Sequence, residues 1–436
     1  MSFGSSPRLR ALVLALAAGA LSTAATAPAH AEAQLLIEAA TGKVLHAENA
    51  TYPWYPASVT KLMTTYTVLR EIKEGRLTFN TLLTVTRDAA AQQPTKMGFK
   101  VGTTVTVDNA LKMLMVKSAN DIAVTIAEGV GGSLEGFADK MNANARRLGM
   151  TQSHFVNPNG LPAENHVTSA RDLGILARAL ILEFPQYDFY WHISSIRYGN
   201  RVMRNYNTLI DRYPGADGMK TGFICASGYN LVASATRNGR RLIAIVLGAW
   251  SGAVRAQKAA QLLERGFNSG GLTWLTPSLG TVDALAPIDA QPPNLRDEMC
   301  GGHRRKPPSE DNEEEAPEDA AANAANASGE GGGNGQAFML SALKPAAGKF
   351  VLGPPVETTP PITVFTGPAD HPDTVPQVAT GGGKKKKKVA AKTDGQPEGK
   401  PAPAGSDKSK PAAKPTAKKP AQGAKPAKPK VSSTNQ

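Results

Sequence analysis

The feature that most constrains this chain is a separation along its length. Residues 34–38 and 43–46 flank Ala40-Thr41-Gly42 and read as a β-hairpin. Two strands alone are barely stable in water. The next runs with strand character are residues 229–235 and 241–247, joined by the turn Arg237-Asn238-Gly239. The early hairpin must therefore share a sheet with these late strands. Between them the apolar spacing is mostly helical, over 58–71, 107–116, 120–128, 134–148 and 169–182, and 253–267 closes the domain. Helices grouped between sheet-forming ends predict an α/β fold, a sandwich with an antiparallel sheet and a helical cluster.

Composition divides the rest of the chain. Arg8 and Arg10 precede an apolar run over 11–18, and Ala29-His30-Ala31 offers small residues at a cleavage position. Residues 1–31 read as a secretory signal peptide, which directs the remainder to the periplasm. One globular domain is expected over 32–270. Residues 271–335 carry scattered prolines, a basic run and then an acidic run, the pattern of a disordered charged linker. Residues 336–380 are Pro-rich and able to order in part. Residues 381–436 read as a disordered Lys/Pro/Ala tail, so the C-terminal region is largely disordered. Nearly all of the net charge of +13 belongs to that tail, where fifteen lysines face only Asp394, Glu398 and Asp407. An extended polycation of this kind makes weak electrostatic contact with an anionic envelope surface. It lacks aromatic residues for base stacking, and nucleic acid is not expected. The two cysteines, Cys225 and Cys300, lie in regions of different character, and no bridge between them is expected.

Three polar clusters interrupt the apolar pattern. The first is Ser58-Val59-Thr60-Lys61 at the start of a helix. A serine hydroxyl is a poor nucleophile without a base in hydrogen-bonding reach. Lys61, one turn on, can be that base, and the helix N-terminus turns unpaired N–H groups toward a developing oxyanion. Alone, Ser58 reads equally as a helix cap. The second cluster, Lys117-Ser118-Ala119-Asn120-Asp121, lies in a bend between helices, the first of which Asp108 is expected to cap. The third is Asp217-Gly218-Met219-Lys220-Thr221-Gly222-Phe223 at a strand start. There Lys220 and Thr221 offer a charge and a hydroxyl, and a small Gly222 permits close approach to the backbone. Asp217 can equally serve only to offset Lys220.

Taken in order, Ser-x-x-Lys, Ser-Ala-Asn and Lys-Thr-Gly are far more specific than any one of them. With Phe155-Val156-Asn157-Pro158-Asn159-Gly160-Leu161, His166, Asn205-Tyr206-Asn207 and Ser227-Gly228-Tyr229-Asn230-Leu231, residues 33–267 resemble the D-alanyl-D-alanine carboxypeptidases, the low-molecular-mass penicillin-binding proteins of peptidase family S11. The resemblance implies a penicillin-binding/β-lactamase-like fold and a serine D,D-peptidase over 32–270. In it Ser58 is acylated, Lys61 acts neutral as its base, and Ser118 passes a proton to the leaving D-alanine. Asn120 holds Lys61 and the substrate amide. Lys220 and Thr221 bind the terminal carboxylate, and the N–H groups of Ser58 and Phe223, beside Gly222, form the oxyanion hole. Substrates would be peptidoglycan stem peptides, and β-lactams would inhibit. The seven histidines are scattered, and the chemistry implied needs neither metal nor cofactor.

Three positions depart from the family pattern: Ala119 for Gly, Ile224 for Thr, and Asn159 for His. A D,D-endopeptidase cutting cross-links would use the same machinery. A class A-like β-lactamase would also need a glutamate to activate water. The segment over 157–166 carries only Glu164, and Thr168 occupies the position where the Glu-x-x-x-Asn spacing requires Asn.

Overall fold

In the computed structural model, the described residues are 32–269, 278–301, 352–356 and 359–373. Residues 1–31, read above as a signal peptide, the acidic run after residue 309 and the basic tail lie outside them. In chain order the elements are β1 (Ala33–Glu38), β2 (Val44–Glu48), a 3-10 turn (Ala57–Thr60) and α1 (Lys61–Lys73). Then come β3 (Leu82–Thr84), α2 (Arg87–Ala91), β4 (Thr104–Thr106), α3 (Val107–Val116), α4 (Asn120–Gly131) and α5 (Leu134–Leu148). Next are α6 (Ala170–Glu183), α7 (Phe189–His192), β5 (Ser195–Tyr198), β6 (Arg201–Arg204) and β7 (Ala216–Ile224). The last are β8 (Gly228–Arg237), β9 (Arg240–Ala249), α8 (Gly252–Asn268), α9 (Arg296–Cys300) and β10 (Ile362–Thr363).

The main sheet has the order β2-β1-β9-β8-β7, and each neighbouring pair is antiparallel. The early hairpin meets the late strands as expected: Ala33 lies opposite Leu247 and Glu38 opposite Leu242. Residues alternate between two cores. Leu35, Ile37, Ile243 and Ile245 pack with the helical cluster, whereas Leu36, Leu242, Ala244 and Val246 pack with α8. Helix α8 covers that face through Ala256, Ala259, Ala260 and Leu263, one stripe at helical spacing. Burial on both faces explains why β9 runs apolar without a break after Arg240 and Arg241, and each buried Leu or Ile contributes roughly 2 kcal/mol.

Several expectations are corrected. Helix α3 is capped by Thr106, whose side chain accepts from the Asn109 N–H. Asp108 sits in the first turn and accepts from Lys112 at 2.6 Å and Tyr190 at 2.7 Å. Asp217 does not offset Lys220 but pairs with Arg241 at 3.1 Å. Cys225 and Cys300 form a disulfide, with Cα atoms 5.7 Å apart. Nor does ordered structure stop at 270. Val44 N donates to Gly280 O at 2.9 Å and Leu295 N to Ala226 O at 3.0 Å, and Val282, Leu295 and Met299 are buried. Further on, β10 pairs parallel with β5, and Val364 and Thr366 are buried. These segments dock by single apolar anchors at sheet and helix edges, so they carry no period that marks them as structured.

Candidate active site

Ser58 lies in the 3-10 turn just before α1. Side chains three apart nearly eclipse in such a turn, which brings Lys61 back over Ser58. The Lys61 side chain is completely buried, while Ser58 stays partly exposed. Lys61 Nζ donates to Ser58 Oγ at 2.8 Å, to Asn120 Oδ1 at 2.8 Å and to the Asn159 carbonyl at 2.7 Å. An ammonium has three protons, and these acceptors come from three separate parts of the chain.

Each acceptor is itself held. Asn120 opens α4 and donates through Nδ2 to Gln93 O at 3.0 Å and Pro94 O at 3.2 Å. Asp121 accepts from the Met97 and Gly98 N–H groups at 3.0 and 2.8 Å. Burial pushes its carboxyl above the usual range, and these backbone donors oppose the shift. Thr95 Oγ1 donates to the Ser118 carbonyl at 2.8 Å. Ser118 has a φ of +57°, an uncommon conformation for a residue with a Cβ. It is 1% exposed, and its Oγ has no hydrogen-bond partner among the described residues. A buried unpaired hydroxyl costs about 1–3 kcal/mol and calls for an explanation.

The Asn159 loop is wedged against the nucleophile turn. Gly160 has a φ of +83°, and a Cβ there would lie 1.8 Å from the Ala57 carbonyl oxygen. Asn157 Oδ1 accepts from Gly160 N at 2.8 Å, and Thr64 Oγ1 donates to Pro158 O at 2.6 Å. His166 braces the same region: it accepts at Nδ1 from Val156 N at 3.0 Å, which leaves Nε2–H to donate to Thr60 Oγ1 at 2.9 Å. Burial holds this imidazole at a pKa of about 3, so it is neutral.

The third cluster faces the turn from the sheet edge. A Cβ on Gly222 would lie 2.7 Å from Ser58 N and 2.9 Å from Val59 N. The glycine therefore lets β7 approach the Ser58 turn itself, as well as any ligand. Lys220 and Thr221 are each 1% exposed, and Lys220 Nζ donates to Thr221 O at 3.0 Å. The Phe223 ring turns away and stacks on Tyr229, centroids 4.2 Å apart, so only its backbone is turned to chemistry at the strand edge.

The three clusters thus converge, and they bring residues that sequence reasoning gave no role. Asn230 on β8 donates to the Tyr55 and Pro56 carbonyls at 3.0 Å each, pinning the approach to Ser58. Buried Arg255 on α8 reaches the Gly222 carbonyl at 3.5 Å. The Asn159 backbone oxygen was hidden because a carbonyl has no residue-type signature. Among the described residues, no group of three or more His, Cys, Asp or Glu is placed to hold a metal.

A partly exposed serine bonded to a buried lysine, with an Asn anchoring the lysine and a strand edge close by, is the construction of an active-serine acyltransferase. The sequence profile of the D-alanyl-D-alanine carboxypeptidase family, peptidase S11, matches residues 21–251. The chain belongs to this family. It is 38% identical over 260 residues to the D-alanyl-D-alanine carboxypeptidase DacD of Salmonella typhimurium, covering 58% of this chain and 67% of that one. The match to DacC of Escherichia coli is 37% and covers 54% of this chain but 61% of the relative; the chain thus spans about three fifths to two thirds of these relatives. In structure it resembles penicillin binding protein 6B from E. coli (TM-score 0.52, 36% identity, 54% of this chain and 77% of that chain). It also resembles penicillin-binding protein D2 from Listeria monocytogenes in its cefotaxime-bound form (TM-score 0.50, 29% identity, 55% and 98%).

Proposed function

We propose that this protein is a serine-type D-Ala-D-Ala carboxypeptidase that removes the terminal D-alanine from peptidoglycan stem peptides. The observation that carries the reading is the Lys61 junction: one buried amine joins Ser58 Oγ to Asn120, beside a buried Ser118 hydroxyl that has no hydrogen-bond partner among the described residues. Lys61 in its neutral form accepts the Ser58 proton as Oγ attacks the carbonyl of the penultimate D-alanine. The Ser58 and Phe223 N–H groups hold the resulting oxyanion, each donor worth roughly 3–4 kcal/mol of barrier. Ser118 relays a proton to the leaving D-alanine nitrogen, and the C–N bond breaks to leave an ester on Ser58. Water then cleaves the ester and regenerates the hydroxyl. Lys220 and Thr221, with Arg255 behind them, receive the terminal carboxylate.

β-Lactams resemble the same terminus, and a relative's structure with cefotaxime supports their acylating Ser58. Glu164, the carboxylate a class A-like β-lactamase would need, is exposed and makes no hydrogen bond or ion pair among the described residues, which favours slow release of the adduct. The disulfide supports an oxidising compartment. With the 1–31 pattern, it supports the reading of a periplasmic enzyme whose basic tail touches anionic envelope surfaces. No described helix is long and apolar enough to cross a membrane. The test is to incubate the purified protein and its Ser58→Ala variant with a pentapeptide ending in D-Ala-D-Ala and with a labelled penicillin. D-alanine release and a long-lived adduct, both lost in the variant, are expected. Rapid adduct turnover with intact pentapeptide would mean a β-lactamase. Cleavage of cross-linked dimers alone would mean an endopeptidase.

A further inference from the structure

Residues 359–373 come from the Pro-rich region, yet they are fastened to the folded domain along their length. Thr359 Oγ1 and Ser194 Oγ share a hydrogen bond of 3.1 Å. Strand β10 pairs with β5, and Val364 N donates to Arg197 O at 2.8 Å. Phe365 N then donates to Asn109 Oδ1 at 3.3 Å, and Gly367 N to Thr104 O at 2.8 Å. Val364 is 1% exposed and Thr366 is fully buried. The segment turns back at Gly367, and Asp373 N donates to Thr366 O at 2.8 Å. It thus staples two elements that are far apart in sequence. One is the β5–β6 hairpin, and the other is β4 with the start of α3.

The same two elements meet a second time, at the active site. Helix α3 ends at Val116, and Lys117 follows, next to Ser118. Strand β6 ends at Arg204, and Asn205, Tyr206 and Asn207 follow. Lys117 Nζ donates to Tyr206 Oη at 2.7 Å, and both residues are buried. The corner is anchored on both sides. Asn205 N donates to Ser194 O at 2.7 Å, toward the staple. Asn207 Nδ2 donates to Gly218 O at 2.8 Å, on the strand of Lys220 and Thr221. The corner therefore spans the interval between the Ser118 bend and the strand that takes the substrate carboxylate.

We propose that residues 359–373 are a strap that positions the Ser118 hydroxyl for catalysis, and that Tyr206 is the positioning residue through which it acts. A single contact between hairpin and helix would leave them free to hinge. The strap on one end and the Lys117–Tyr206 bond on the other hold the interval at two points. Ser118 sits in a positive-φ bend directly after Lys117, so a shift of Lys117 moves the hydroxyl relative to the leaving nitrogen. The strap rests on the carboxypeptidase reading and adds to it the part of the chain that keeps the proton relay in register.

The experiment uses the full-length protein and two substrates that differ only in the leaving group. One ends in D-Ala-D-Ala and the other in D-Ala-D-lactate. An amide nitrogen must gain a proton as its C–N bond breaks, so D-alanine release depends on Ser118. An alkoxide leaves far more readily, so the ester depends on it less. Tyr206→Phe removes one hydroxyl and keeps the ring, whose centroid lies 5.2 Å from Lys117 Nζ. It should lower kcat for D-alanine release about tenfold, short of the roughly 100-fold that a 1 Å misplacement can cost. D-lactate release should stay within about twofold of normal. Val364→Asp, which expels the buried anchor of the strap, should give the same selective loss. The double variant should lose no more than either alone, because both act on one contact. No loss, an equal loss on amide and ester, or losses that multiply in the double variant would overturn the strap's role. Hydrogen exchange on the unaltered protein needs no variant to fold. The Val364 and Gly367 amides should be protected, and exchange at the rate of free chain would overturn the docking. Release of neither D-alanine nor D-lactate by the unaltered protein would overturn the carboxypeptidase reading and the strap's role with it.

Discussion

The two sides of Ser58 are built in opposite ways. On the inner side Lys61 is completely buried, and its partners come from α4 and the Asn159 loop, each pinned by further hydrogen bonds. On the outer side a cavity of about 310 Å³ is rimmed by two exposed charges, Glu164 of the loop after Asn159 and Arg296 of a segment that a disulfide holds to the end of β7. Burial makes a polar network costly to disturb, because each orphaned group loses its bond with no water to replace it. An exposed rim carries no such cost and can vary with the ligand. The inner side is therefore the more rigidly specified of the two.

The largest effect should come from the inner junction. Lys61→Ala should slow penicillin acylation of Ser58 by about 10⁴-fold, the upper range for loss of a general base. A variant that acylates at near the normal rate would remove Lys61 from the mechanism. Gly160→Ala should lose about 3 kcal/mol or more in denaturant unfolding, because the added methyl meets the Ala57 carbonyl and the positive φ disfavours any Cβ. Ser118→Ala sharpens the contrast between function and stability. It should cut D-alanine release by about 10²-fold, while stability holds or rises because a buried unpaired hydroxyl is gone. A loss of stability instead would make Ser118 a structural residue.

Acid should expose the inner side through His166. Its unfolded pKa is near 6.5 and its folded value about 3. The stability this neutral imidazole contributes is therefore complete above pH 6.5 and shrinks as pH falls toward 3. The slope is at most about 1.4 kcal/mol per pH unit. His166→Gln should flatten the acid loss of stability between about pH 6 and pH 4, read from urea midpoints. Parallel curves for the two proteins would contradict the assigned neutral state. The smallest effect on chemistry should follow from opening the outer side. A double Cys225→Ser, Cys300→Ser variant should keep penicillin acylation unchanged while its urea midpoint falls, because the unfolded chain is no longer cross-linked across a sequence separation of 75. Lost acylation would tie the disulfide to the inner network.

The sheet pairing and the order of helices were legible because they follow from period: alternation in β1 and β9, and helical stripes such as that of α8. Ser58, Lys61, Asn120 and the 220–223 run were legible as residue types in a fixed order, and the lysine's reach to Ser58 is set by local turn geometry. What stayed hidden was of two kinds. Asn159 contributes a backbone carbonyl, which every residue has, and Asn230 acts through contacts more than 170 residues apart in sequence. The other kind is weak docking. Val282, Leu295, Met299 and Val364 are single anchors among prolines and charges, so composition reads their segments as linker.

By itself, the sequence determined the α/β class, the family and the cast of reactive side chains, since these depend on periodicity and local spacing. Tertiary structure alone decided which carbonyl completes the lysine's coordination, that the two cysteines meet, and that Arg296 stands at the rim of the cavity. Those outcomes depend on closing long loops, and the closure is set by how buried surfaces pack rather than by any neighbouring residue.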